Sequence, residues 1–163
     1  MELKIDDLQK IQDQLDQRIF DLHKTSRSAT REDRVLALLV ELGELANETR
    51  CFKYWSLNKT INEAEMFEEF SDVLHFALSL GIDIKFNEAV IEFEKSNLST
   101  ADIFRKFYQE VIQFQQDNHK DSYRLLMITL GQLADNIGLT SETMREMYFY
   151  KNKKNHERQD NEY

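Results

Sequence analysis

The sequence predicts an all-α protein, a compact bundle of about six helices. Two observations carry the helical prediction. The 163 residues hold no proline and only 4 glycines, so the residues that break helices are nearly missing. Apolar side chains recur at the three- and four-residue spacing of a helix face, and short polar breaks with capping residues separate the runs. Apolar residues make up 41% and charged residues 31%, the composition of one folded domain over residues 1–163 with a real core. No internal repeat, low-complexity run or linker divides it.

Taken in order, Ile5, Leu8, Ile11, Leu15, Ile19 and Leu22 mark a first helix over residues 3–22. Gln12 and Asp16 lie beside that stripe, one turn apart, where spacing alone reads as a solvated flank. TSRSATR (25–31) is a polar loop, and Thr30 with Asp33 offers a cap for the next helix. That helix holds VLALLVELGELANE (35–48) and runs to about Arg50. CFKYWS follows. By composition Trp55 reads as a core or interface anchor, because tryptophan buries much apolar area. After a break at 58–62, Thr60 and Glu63 suggest a capping box. A third helix then carries EEFSDVLHFALSL and ends at Gly81 as a C-cap. FNEAVIEF (86–93) reads as a short helix. Ser99 or Thr100 starts a helix with Ile103, Phe107, Val111 and Phe114. Residues 117–120 end it, 125–137 form a fifth helix stopped by Gly138, and Thr140 and Ser141 open the last. The tail, 151–163, is basic and lacks an apolar stripe, so it reads as a mobile end. Lys151, Asn155 and Arg158 share one helical face there and could reach an anion.

The chemistry sits in two acidic pairs. Glu41 and Glu44 are one turn apart within an apolar helix, beside Ala37, Leu38 and Leu45. Glu69 and Asp72 repeat the pattern beside Met66, Val73 and Phe76, with 24 residues between Glu44 and Glu69. Two helices and one short loop bring such pairs face to face. Four unpaired carboxylates there would be costly, and a divalent cation with a preference for oxygen, such as Mg²⁺, removes the cost. His75, one turn after Asp72, reads as a hydrogen-bonded neighbour of the site rather than a ligand. Acidic pairs elsewhere, including Glu63, Glu65 and Glu68, read as exposed.

The net charge of −9 argues against general nucleic-acid binding. Cys51, the single cysteine, excludes an internal disulfide framework and fits a reducing cytoplasm. The N-terminus MELKIDDLQK has no signal-peptide pattern, and no apolar run is long enough for a membrane.

ELGELANE, FKYW and EEFSDVLHFALSLG together resemble the all-α NTP pyrophosphohydrolases, the MazG-like superfamily. Within it the chain is most similar to the dimeric dUTPases, through the first-helix glutamine in IQDQLD and the basic ending KNKKNHERQ. The resemblance implies hydrolysis of dUTP to dUMP and pyrophosphate with Mg²⁺. It implies that Glu41, Glu44, Glu69 and Asp72 hold metal, with Glu44 orienting or deprotonating the attacking water. It assigns Gln12 to the uracil edge, Trp55 to the wall of the base pocket, and Lys151, Asn155, Arg158 and Lys53 to the nucleotide. It implies a homodimer, for which Ile82–Phe93 and Ile103–Phe114 carry surplus apolar side chains. Other readings stay open: the same chemistry on another base, such as dCTP; a phage-type dUTPase that also binds a repressor protein; or a plain helical bundle with solvated acids.

Overall fold

The longest apolar run of the chain becomes its central helix. The computed structural model describes residues 1–161, and among these it has six helices: α1 (Asp6–Leu22), α2 (Arg31–Thr49), α3 (Glu63–Asp83), α4 (Thr100–Asp117), α5 (Lys120–Asn136) and α6 (Ser141–Asp160). Helix α3 contacts α1, α2, α5 and α6, and eleven of its residues are buried. Its apolar residues occupy all sides, the pattern of a helix surrounded by others. Helix α2 packs along it, and α4, with a narrower stripe, packs on α2 and α5. The two acidic pairs therefore sit where α2 lies against α3.

Polar side chains set the helix starts. Asn62 caps α3, its side-chain oxygen accepting from the Glu65 N–H at 3.4 Å, in place of the box expected from Thr60 and Glu63. Ser99 and Thr140 cap α4 and α6 as expected, accepting from Asp102 and Thr143. Thr30 precedes α2, but its hydroxyl donates back to the Ser26 carbonyl and caps no N–H.

Three expectations are corrected. FNEAVIEF is not a helix: it contains strand β2 (Val90–Glu92), antiparallel to β1 (Glu2–Lys4), with Leu3 opposite Ile91. Val90 and Ile91 are β-branched, and the residues ahead of α1 offer an edge to pair with. Gly81 is not a C-cap, since α3 continues to Asp83. A Cβ there would collide with the Tyr123 hydroxyl, so glycine is needed for a close helix approach. Trp55 is not a core anchor. It is 62% exposed and meets Phe52 and Tyr54 edge-on.

The segments expected to be surplus for a dimer are used inside the chain. Phe86, Ile91, Phe93, Ile103, Phe107, Val111 and Phe114 are all in the core. Ile112 of the second segment stays exposed, and among the described residues the densest run of exposed large apolar side chains is Leu36 and Val40 on α2 with Phe52, Tyr54, Trp55 and Leu57 in the loop after it. Among the described residues, no helix is long and apolar enough to cross a membrane.

Candidate active site

Four helices enclose one cavity of about 400 Å³. Gln12, Leu15, Asp16 and Ile19 line it from α1, Glu41 and Glu44 from α2, Glu68, Glu69, Asp72, His75 and Phe76 from α3, and Lys151, Asn155 and Arg158 from α6. A wider groove of about 720 Å³ at Glu92, Arg124 and Gln132 gathers no group of acids close enough to share a cation.

Glu41, Glu69 and Asp72 converge, each offering an oxygen within 4.8 Å of the others, the one such group among the described residues. Burial, then the charges of Asp72, Glu44 and Glu69, pushes the Glu41 carboxyl up to about 7. Burial and the Asp72 charge raise Glu69, and burial raises Asp72 against the pull of Lys151. Three half-buried acids that resist ionising together are a site short of positive charge. All its donors are carboxylate oxygens, which fits a hard divalent ion such as Mg²⁺. Glu44 stands apart from the three. It lies exposed at the rim, and its charge still bears on Glu41 and Glu69.

The basic face of α6 closes this side of the cavity. The Lys151 ammonium reaches Asp72 at 2.6 Å and Glu68 at 3.0 Å, and Lys154 joins Glu68 at 2.9 Å. Burial alone would lower the Lys151 pKa, but the bonds to Asp72 and Glu68 raise it, so the lysine is held charged. Asn155 and Arg158 follow on the same face, as expected, and the Arg158 charge also bears on Asp72. The residues expected to be a loose tail continue α6 to Asp160. Lys151 and Asn152 are buried, and Arg18 of α1 bonds His156 and Asp160. Positions 162 and 163 of that tail lie outside the described residues.

The other wall is a neutral amide and ring with a charged anchor behind them. Gln12 is 3% exposed, not a solvated flank. Its Nε2 donates to Asp16 at 2.7 Å, while its Oε1 accepts from the Tyr148 hydroxyl at 3.1 Å and lies 2.6 Å from His75 Nδ1. His75 stacks on Tyr148 and burial pushes its pKa down to about 3, so the ring is neutral. It is a hydrogen-bonded neighbour of the site, as its spacing suggested.

Lys53 and Trp55 are not brought to this cavity; both lie in the loop after α2. Two participants are unexpected. Asp16 is buried beside Gln12, and Glu68 holds two lysines. The first was legible in principle: Gln12 is four residues from Leu8, and Asp16 four from Gln12, the spacing of the buried stripe itself.

An all-α bundle with acidic pairs on adjacent helices and a cationic helix opposite them has the charge pattern that a nucleoside triphosphate pyrophosphohydrolase needs. The family model described as dUTPase matches residues 4–163. The chain belongs to this family, the all-α dUTPases. No curated protein matches it.

Proposed function

We propose that the chain hydrolyses dUTP to dUMP and pyrophosphate with Mg²⁺. One observation supports this above all: a single cavity sets three converging carboxylates between a buried amide wall and a basic helix face. Glu41, Glu69 and Asp72 would hold the cation, with Glu44 completing the set from the rim. A cation bound there supplies charge neutralisation at the phosphates and acidifies a coordinated water. Glu44, the most accessible of the four, would orient or deprotonate the attacking water. Lys151, Asn155 and Arg158 meet phosphate oxygens through hydrogen bonds, charge-assisted for the two cations. Gln12 meets the base edge, and Phe76 and Leu15 supply apolar wall.

The resemblance to dimeric relatives extends the proposal to a homodimer. The exposed apolar residues of α2 and its following loop are the surface that supports it. The direct test is pyrophosphate release from each dNTP, with Mg²⁺ and with chelator. Selective, Mg²⁺-dependent turnover of dUTP is the expected result. Selective turnover of dCTP would replace the substrate, and no turnover of any dNTP would remove the function.

A further inference from the structure

The amide that faces the base is held by a carboxylate that belongs to no metal group. Asp16 sits one turn beyond Gln12 on α1 and is 5% exposed. Its Oδ1 takes the Gln12 N–H at 2.7 Å. Its Oδ2 takes the Ser79 hydroxyl at 2.5 Å and faces Arg27 Nη1 at 3.0 Å. Arg27 is itself placed by the Ser79 carbonyl at 3.1 Å and Asp83 at 3.2 Å. Every neighbour of Asp16 is thus a donor; burial raises its carboxyl, but the bonds from Ser79 and Gln12 and the Arg27 charge favour the carboxylate, and a carboxylate can only accept.

That fixes which way the Gln12 amide points. Rotating it by half a turn would set Oε1 against Asp16 Oδ1, two acceptors in a buried place where an unpaired polar group is costly. In the observed orientation Oε1 faces two donors, His75 Nδ1 and the Tyr148 hydroxyl, whose one hydrogen it shares with the Leu8 carbonyl. Nε2 carries two hydrogens, and Asp16 takes one. The capacity that Gln12 has left for the cavity it lines is a single N–H.

We infer that Asp16 is a positioning residue for specificity: acting through Gln12, it makes the base pocket a donor at that point. The inference rests on the reading of this cavity as a uracil nucleotide site. Uracil presents a carbonyl at its 4-position, where cytosine presents an amino group. A donor at Gln12 pairs with the first and opposes the second. The carboxylates of α2 and α3 handle the phosphates of either nucleotide alike, so Asp16 governs which base is used and not how fast phosphate chemistry runs.

The experiment compares kcat/KM for dUTP and dCTP in Asp16→Asn, in Gln12→Glu, and in the double variant. An asparagine at 16 can donate or accept, so it no longer dictates the amide. In Asp16→Asn the dUTP-to-dCTP ratio should fall roughly tenfold, the weight of one hydrogen bond, with the loss in the KM for dUTP. In the double variant the amide introduced at position 16 can donate to the carboxylate introduced at position 12. That carboxylate then offers an acceptor to the base, and preference should move toward dCTP. A merely structural defect would lower both substrates together and leave the ratio unchanged; that result in all three variants overturns the inference. Should Asp16→Asn fail to fold, the double variant, which keeps shape and net charge, carries the test. A wild-type protein without dUTP preference would instead refute the functional reading itself.

Discussion

Glu41 shows how one residue joins the metal site to the stability of the fold. Its carboxyl is raised from 4.5 to about 7, first by burial and then by three acidic neighbours. A carboxylate raised in the folded state favours the protonated form, so its ionisation destabilises the fold. That loss begins above the unfolded value of 4.5 and is complete above about 7. In chelator, the melting temperature of the wild type should therefore fall, relative to Glu41→Gln, as pH rises from 4.5 to 7. Mg²⁺ should remove the difference, because it offsets the same charge. Melts across pH with and without Mg²⁺ check this; parallel curves in chelator would separate Glu41 from the cluster. Turnover by Glu41→Gln should be abolished, and so should turnover by Asp72→Asn. Lys151 is the second residue to test. Its ammonium stands between Asp72 and Glu68, where positive charge is scarce. In Lys151→Met the nucleotide-free protein should melt lower in chelator yet bind Mn²⁺ more tightly, as read by electron paramagnetic resonance. Unchanged Mn²⁺ affinity would mean that the lysine and the cation do not compete.

At the scale of elements, the long helices were legible because their stripes are long and their breaks carry capping residues. What escaped was decided by partners distant in sequence. Val90 and Ile91 form a strand because residues 2–4 lie alongside, which no local period signals. Gly81 resembles a helix stop, yet it admits Tyr123, whose hydroxyl donates to the Ala77 carbonyl at 2.9 Å. Alanine at 81 would gain about 1 kcal/mol of helix propensity. It would also drive a methyl into a fully buried tyrosine packed on Phe86 and Phe114. Overpacking of that kind costs about 1–3 kcal/mol, so Gly81→Ala should be neutral to destabilising in denaturant titration. The end of α6 escaped for another reason. No apolar stripe marks it, because Arg18, Lys151 and Lys154 hold it through polar bonds. Of the site, the acidic pairs and the α6 face were readable from spacing. Asp16 shares the spacing of the buried stripe, but its role was not readable, since a buried acid and a solvated one look alike until Arg27 and Ser79 are placed beside it.

For the whole molecule the question is what covers the apolar surface that remains. The segments first expected to serve, 82–93 and 103–114, mostly fill the core instead, and the densest run of exposed apolar side chains lies on α2 and the loop after it. Leu36 and Val40 are one turn apart on the outer side of the helix whose inner side carries Glu41. A dimer formed on this surface would stiffen the helix that bears half of the acidic pairs. Val40→Asp places a charge on that surface and touches nothing in the core, so the folded chain should survive it. Sedimentation should show the wild type as a dimer and Val40→Asp as a monomer, with a loss of dUTP turnover that returns as protein concentration is raised. A monomeric wild type with full activity would show that one chain is a sufficient enzyme and that the exposed residues of α2 serve no assembly. A dimeric Val40→Asp would move the interface to another face, with the loop residues Phe52, Tyr54 and Leu57 next to be charged in turn.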